Sequence, residues 1–548
     1  MSMGKNLDAV SLGILWDRLI SVTNEIVQTL VRTSFSSIAR ENYDLSCVLF
    51  DAKGRSIAQG TMSVPVFIGT APQTMRHMLN AIPPDQLEPG DVILTNDIWM
   101  GTGHLWDLNV MRPAFRNGRI VGYALSISHL PDIGGRGFSA INLDMYEEGL
   151  QIPICKVIKA GKLNTELIEL IRMNVRVSEQ VIGDLMANIT ATEVGCRHML
   201  EFMDEYGLDS LEPLADTIIQ QSESAMRRAI ADMPDGIYRN KIQVEAFDEP
   251  VTLACAIHIK GNRLLVDFEG TGPSLPSAIN VPMCYTRAMA AYSIKALVLP
   301  HVPNNAGSVT PIEVKAPHGC ILDAQPPSAT GARFMIGHFV TPLVFGALAK
   351  AIPDKVQADP GMTCILNVIG KNPRGKEFAT LYFSAGGFGA LKGLDGLSAT
   401  PAPSNMMVMP TETWEVLTGI RIVSRRLRAD SGGPGQYRGG LGQEIVLQND
   451  TGHPLTVFAM GARTDYPALG VCGGQPGATR SYRLNGQMIH PKGRYQLKAG
   501  DQIEILEAGG GGYGPAERRK PAQIAADIRL GFVTREAAIR DYGYRDSI

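Results

Sequence analysis

The sequence predicts a mixed α/β (α+β), multi-domain protein, and three observations predict it. Apolar residues recur at helical spacing through 10–33 and again through 164–233. Short apolar runs at 44–50, 91–95 and 120–128 read as strands, and the last two run into polar loops rich in Gly, His and Asp. From 413 to 508, short strands alternate with glycine-rich turns. The expected organisation is an N-terminal α/β region carrying the candidate site (1–160), a helical region (161–235), a second α/β region (236–410), a β-rich region (411–515) and a C-terminal helical hairpin (516–548).

In chain order, Leu12, Leu15, Leu19, Ile26 and Leu30 mark one face of a helix over 10–33. The run Asp44–Phe50 predicts a strand, Asp51–Arg55 a turn, and 56–59 a second strand. A helix over 70–81 is stopped by Pro83-Pro84. Ile168, Ile171, Val175, Ile182, Leu185, Ile189 and Val194 give the helical period of 164–233. Strands are expected between 236 and 270, helices over 287–298 and 337–352, and an ordered loop or hinge over 386–410. The glycine runs near 432–442 and at 509–514 read as turns, and 520–541 as two helices.

Composition narrows the function. The 548 residues carry a net charge of -3 and 45% apolar residues, which suits large packed cores. No Lys/Arg-rich run points to nucleic acid, and no stretch of 18 apolar residues points to a membrane span. The start of the chain lacks the apolar segment of a secretory signal, and the eight cysteines are scattered without a CxxC pair. Both features lead us to expect a cytoplasmic protein with buried, reduced thiols. There is no GxxxxGK[ST] loop, no strand-embedded GxGxxG and no GxSxG elbow, so nucleotide binding on this chain and α/β-hydrolase chemistry have no support. Cys47 and Cys472 have no evident activating base.

The strongest chemical signal is a pair of His-x-x-Asp segments. His104-Leu-Trp-Asp107 is followed, after a predicted strand, by His129-Leu-Pro-Asp132. Imidazole nitrogens and carboxylate oxygens in this set suit one divalent Zn, Mn or Fe ion. Such spacing also arises by chance, and a histidine at a strand end often only bonds backbone. Asp44 is open to two readings, a carboxylate pointing into the same cleft or a turn cap. Asp97 is equally open to orienting a ligand histidine from behind or capping the 101–103 loop. The remaining histidines, His338 among them, read as structural or surface residues.

These segments resemble the hydantoinase B/oxoprolinase family. The resemblance is carried by Arg40-Glu-Asn-Tyr-Asp44-Leu-Ser, Gly90-Asp-Val-Ile-Leu-Thr-Asn-Asp97, Gly101-Thr-Gly-His104-Leu-Trp-Asp107, Ser128-His129-Leu-Pro-Asp132-Ile-Gly-Gly135 and Glu148-Gly-Leu-Gln-Ile-Pro153. Asn174-Val-Arg176, Asp430–Gly442, Gly510–Gly514 and the closing Arg535–Gly543 continue it in order across the chain. The resemblance implies a metal held by His104, Asp107 and His129, with Asp44 as a fourth ligand. Asp132 then serves as base or as an orienting residue. It also implies a hydantoinase A-like ATPase partner, with ATP and Mg bound there, in a hetero-oligomer with two copies of each chain. The implied reaction is ATP-dependent hydrolysis of a cyclic amide such as a hydantoin, lactam or 5-oxoproline. Ketone carboxylation of the acetone or acetophenone type is the alternative, and a non-catalytic scaffold is a third reading. One departure stands out: Trp106 occupies a position where the family often has proline. It implies either a pocket shaped for a flat or apolar substrate or a stacking role.

Overall fold

Asp8 caps the first helix, Ala9–Thr33, by accepting from the Val10 and Ser11 amides, and Leu12, Leu15, Leu19, Ile26 and Leu30 form its buried face. The computed structural model describes residues 8–247 and 249–545. That buried face meets the helix Ser178–Glu205, and together they cover one side of a seven-stranded antiparallel sheet. Its strands are β1 (Leu45–Asp51), β2 (Ser56–Gln59), β3 (Val92–Thr95), β4 (Asp107–Arg116), β5 (Arg119–His129), β6 (Cys155–Lys159) and β7 (Lys162–Leu163). They pair in the order β2-β1-β5-β4-β3-β6-β7. Leu45, Cys47 and Leu49 face the two helices. Val48 and Phe50 point to the opposite side, where Phe67–Ala81 packs on Met283–Val298. With both faces covered, every residue of β1 is buried, which is why it reads as a continuous apolar run.

The expected separate helical region is therefore part of this first layer: Ser178–Glu205 completes the core of the N-terminal sheet. A second sheet contains β8 (Gly236–Val244), β9 (Val251–Lys260), β10 (Arg263–Asp267) and β11 (Ile312–Lys315), with β11 parallel to β10. The remaining strands are β12 (Thr363–Lys371), β13 (Glu377–Ala385), β14 (Ile420–Leu427), β15 (Gln443–Asn449), β16 (Leu455–Met460), β17 (Ser481–Leu484), β18 (Gln487–Met488), β19 (Arg494–Leu497) and β20 (Gln502–Leu506). They form two sheets, β13-β12-β16-β19 and β14-β15-β20-β17-β18, around a shared core that includes Trp414, Tyr382, Ile445 and Val457. The boundary expected at 411 thus runs through a sheet, because β12 bonds β16 across more than eighty intervening residues. Pairing at that range leaves no local trace in sequence. The closing helices Pro521–Arg529 and Arg535–Tyr542 form the expected pair around a small core of their own. Among the described residues, no helix is long and apolar enough to cross a membrane.

The glycine runs do something other than turn. Segments around 387–396, 431–442, 468–477 and 508–514 lie outside the four sheets and pack backbone on backbone. The Gly440 amide donates to Phe388 O at 2.8 Å, Gly510 to Gly440 O at 2.9 Å and Gly433 to Gly510 O at 2.8 Å. A Cβ on Gly440 would sit 2.0 Å from Leu397 O, so only glycine permits the approach.

Candidate metal centre

The N-terminal sheet brings three of the expected site residues onto one rung. Asp107, the first residue of β4, stands directly opposite His129, the last residue of β5. The His129 amide donates to Asp44 O at 3.0 Å, immediately before β1 begins. His104 arrives from the loop that feeds β4. That loop is held by the Asn96 side chain, which donates to Leu105 O and Leu150 O and accepts from the Ile152 amide.

Both imidazoles are fixed through Nδ1. His104 Nδ1 bonds Gly331 O at 3.0 Å and His129 Nδ1 bonds Leu130 O at 2.8 Å. A carbonyl only accepts, so each Nδ1 carries the ring proton and each Nε2 is left with a lone pair. Both Nε2 atoms are buried and make no hydrogen bond. His104 Nε2 lies 3.1 Å from Asp107 Oδ1. Two lone-pair atoms at that distance are an arrangement that a shared cation relieves. The other oxygen, Asp107 Oδ2, is already committed: it accepts from Thr102 Oγ1 at 2.7 Å and Arg333 Nη2 at 2.8 Å. Oδ1 is thereby left toward the histidines. Asp44, His104, Asp107 and His129 all line one cavity of about 60 Å³, the space open to the centre of a water molecule. That volume holds a few waters. Among the described residues, no three His, Cys, Asp or Glu side chains are gathered into a closed ligand cluster, and the His104 and His129 rings are 5.1 Å apart between centres. The donor types, the bare Nε2 atoms and the Nε2–Oδ1 approach fit a divalent ion.

Burial governs the charges. It pushes both histidines down, His129 to about 3, so both stay neutral as ligands require. Burial and the neighbouring Asp107 charge push Asp44 up to about 8. Burial alone would also raise Asp107, but the Arg333 guanidinium holds it below the usual carboxylate range.

The cavity has two kinds of wall. The polar wall is the strand-end rung with Arg333 and Tyr285. The opposite wall is apolar, built from Ile365 of β12, Leu381 and Phe383 of β13, and Met406. Phe138 stands edge-on to His129 at 5.1 Å and to His104 at 5.8 Å, fixing both rings from the side. Trp106 does not line the cavity; it is buried behind His104, 5.8 Å from it and 5.0 Å from Phe138. It shapes no substrate pocket, and it packs on both rings at a tilt, 53° and 66° between planes, without stacking face to face.

Asp132 lies outside the cavity lining. Its carboxylate accepts from the Arg176 amide and Arg176 Nη1, both at 2.5 Å, and from the Gly134 amide at 3.3 Å. This arrangement pins the 132–135 loop to 174–176 and presents no base to the site. Asp97 takes the capping role: Oδ1 accepts from the Trp99 and Met100 amides, and Oδ2 from Gln151 Nε2. Sequence reasoning missed Arg333, His338, Tyr285 and Glu148 as site residues. Glu148 is fully buried, and its Oε1 accepts from the Thr330 and Gly331 amides at 2.9 and 2.5 Å. It grips the peptide segment whose Gly331 carbonyl orients His104. Only Glu148 had a signal in the sequence, as the first residue of the Glu148–Pro153 motif.

Comparison with known proteins places these features in a family. Residues 8–516 match the family described as Hydantoinase B/oxoprolinase. The chain is 28% identical over 569 residues to the B component of a putative D-/L-hydantoinase of Pseudomonas sp. (strain NS671), covering 98% of this chain and 95% of that one. It is similar to the crystal structure of an ATP-dependent caprolactamase from Pseudomonas jessenii, with a TM-score of 0.91, 26% identity, and coverage of 99% and 97%. A nucleotide-free acetone carboxylase structure shares the fold, with a TM-score of 0.88 at 20% identity, covering 98% of this chain and 79% of that one.

Proposed function

The chain belongs to the hydantoinase B/oxoprolinase family, and from that premise we propose that it is the metal-carrying subunit of an ATP-dependent cyclic-amide hydrolase. A hydantoinase A-like partner binds ATP and phosphorylates the amide oxygen, and this chain holds the activated substrate for attack by water. The hydrolase reading is favoured over ketone carboxylation by length and likeness. Caprolactamase is matched over 97% of its chain at 26% identity, acetone carboxylase over 79% at 20%. The hydantoinase and caprolactamase relatives are each named as one component of a multi-chain enzyme, which supports a partnered role for this chain.

The observation that carries the reading is the pair of bare Nε2 atoms beside Asp107 Oδ1, fixed from behind by backbone carbonyls. His104, His129, Asp107 and Asp44 would hold one divalent Zn, Mn or Fe ion. When bound, such an ion supplies Lewis acidity and lowers the pKa of water toward about 7. The chain's own residues do the rest. Gly331 O and Leu130 O keep the imidazoles in the ligand tautomer. Thr102 and Arg333 turn Asp107 so that Oδ1 faces inward. The apolar wall of Ile365, Leu381 and Phe383 receives the hydrocarbon part of a ring substrate and excludes bulk water.

The test is elemental analysis of the purified chain beside His129→Ala, followed by ATP-dependent turnover of lactams and ketones with the partner added. About one equivalent of metal lost in the variant, with lactam turnover in the wild type, supports the reading. No metal in either sample leaves the scaffold role, and turnover of ketones alone leaves carboxylation.

A further inference from the structure

The proposed function uses the buried Arg333 only to turn Asp107, and part of its guanidinium is left without a task. This side chain is 4% exposed and lines the cavity. Its Nε donates to Thr102 O at 3.0 Å and its Nη2 to Asp107 Oδ2 at 2.8 Å. Nη1 makes no hydrogen bond to any described residue. The guanidinium lies over the Tyr285 ring, 4.6 Å from its centre, and a Cβ at Gly103 would come within 3.0 Å of its Cδ and Nε. The Tyr285 ring on one face and the Gly103 backbone beside Cδ and Nε therefore hold the fork in place.

We propose that Arg333 is a substrate-binding residue whose Nη1 edge receives an oxyanion, so that the site's ligand is a small molecule bearing a phosphoryl or carboxylate group. Charge balance supports it, and this step rests on the metal reading above. Bound as ligands, the Asp44 and Asp107 carboxylates offset a divalent ion, while Glu148, which is no ligand and which burial pushes up to about 8, stays neutral at pH 7. Arg333 then gives the site one net positive charge even with its bond to Asp107. A net positive charge in a buried site is costly, and an incoming anion removes that cost. A guanidinium held flat with a free N–H edge is also the geometry that planar recognition of phosphate and carboxylate uses. Two sources share this chemistry: the phosphoryl group of the activated amide, and the carboxylate that hydrolysis of an amide releases.

The experiment titrates the full metal-loaded chain with inorganic phosphate and, separately, with acetate, following heat of binding. Wild type is compared with Arg333→Lys, which keeps the charge and loses the fork. Arg374→Lys serves as a second variant, because it makes the same exchange at an exposed arginine outside the cavity and so reports anion binding to surface charge. Metal content is measured in every sample. The expected result is phosphate binding that weakens at least tenfold in Arg333→Lys and stays within about twofold in Arg374→Lys, with metal retained throughout. The same pattern with acetate in place of phosphate assigns the carboxylate as the anion. Equal binding in wild type and Arg333→Lys overturns the proposal, as does no binding of either anion by the wild type. Joint loss of metal and anion binding in Arg333→Lys also overturns it, since Arg333 would then only support Asp107. Absence of metal from the wild type refutes the proposed function instead, and the anion titration on that sample still reports on Arg333 alone.

Discussion

Asp107 stands directly opposite His129 in the β4–β5 ladder. Register therefore sets their separation, and the 21 residues between them in the sequence are a hairpin. The far end of that hairpin is the exposed Asn117-Gly118 turn, where a Cβ on Gly118 would meet nothing within 4 Å. Inserting two glycines after Gly118 is expected to leave metal content unchanged and turnover within about twofold, because added turn length does not shift the ladder. Elemental analysis and turnover check it; loss of metal would show that spacing rather than register builds the site.

Glu148 acts on the centre without touching it. Glu148→Ala removes the oxygen that accepts from the Thr330 and Gly331 amides, and so loosens the carbonyl that orients His104. Metal affinity is expected to fall about 10–100-fold, as for other residues that orient ligands from behind. A competition titration with a chromophoric chelator measures it, alongside a circular dichroism spectrum that should not change.

His338 gives the protein an acid-sensitive core. It is buried on the cavity wall, and burial, helped by the Arg333 charge, pushes it down to about 3. Between that value and the ordinary histidine pKa near 6.5, the unfolded chain binds a proton at this position and the folded chain does not. Stability is thus lost as pH falls from about 6.5 toward 3. Between pH 6.5 and 5, His338 accounts for about 2 kcal/mol of that loss. In His338→Leu this part of the slope should disappear. Urea midpoints of both proteins at pH 7 and pH 5 test it; equal slopes would refute it.

Glycine position decides whether a methyl group helps or harms. Gly440→Ala drives a Cβ to 2.0 Å from Leu397 O and 2.7 Å from the Phe388 amide nitrogen. It is expected to cost at least about 3 kcal/mol. Gly13 lies inside Ala9–Thr33, where a Cβ would meet nothing within 4 Å. Gly13→Ala should stabilise by up to about 1 kcal/mol. Thermal melts of the two variants should move in opposite directions.

The strand-end rung of Asp44, Asp107 and His129 was legible in the sequence and its surroundings were not. His104, Asp107, His129 and Asp44 stand out because strand-end motifs carry them, and all four reach one cavity. Arg333 and Gly331 come from more than two hundred residues away, and only the tertiary fold brings them to His104 and Asp107. Asp132 misled because its His-x-x-Asp pattern copies the first. There, however, the aspartate opens a strand, whereas here it follows one, in a loop where Gly134 and Gly135 take positive φ. The glycine runs misled for a related reason, since a turn and a close backbone approach demand the same residue.

The glycine layer also constrains the order of assembly during synthesis. It interlocks stretches near 387, 433, 440 and 510, so its last strip is made more than a hundred residues after its first. At translation rates of about 5–20 residues per second, the nascent chain waits for seconds with these backbones unpaired. The strand ends bearing Asp44, Asp107 and His129 are complete long before that. Ile365, Leu381 and Phe383 are also made early, but their sheet lacks its partner strands β16 and β19. On the ribosome, the half of the cavity built from these strand ends is therefore ready before the wall that closes it.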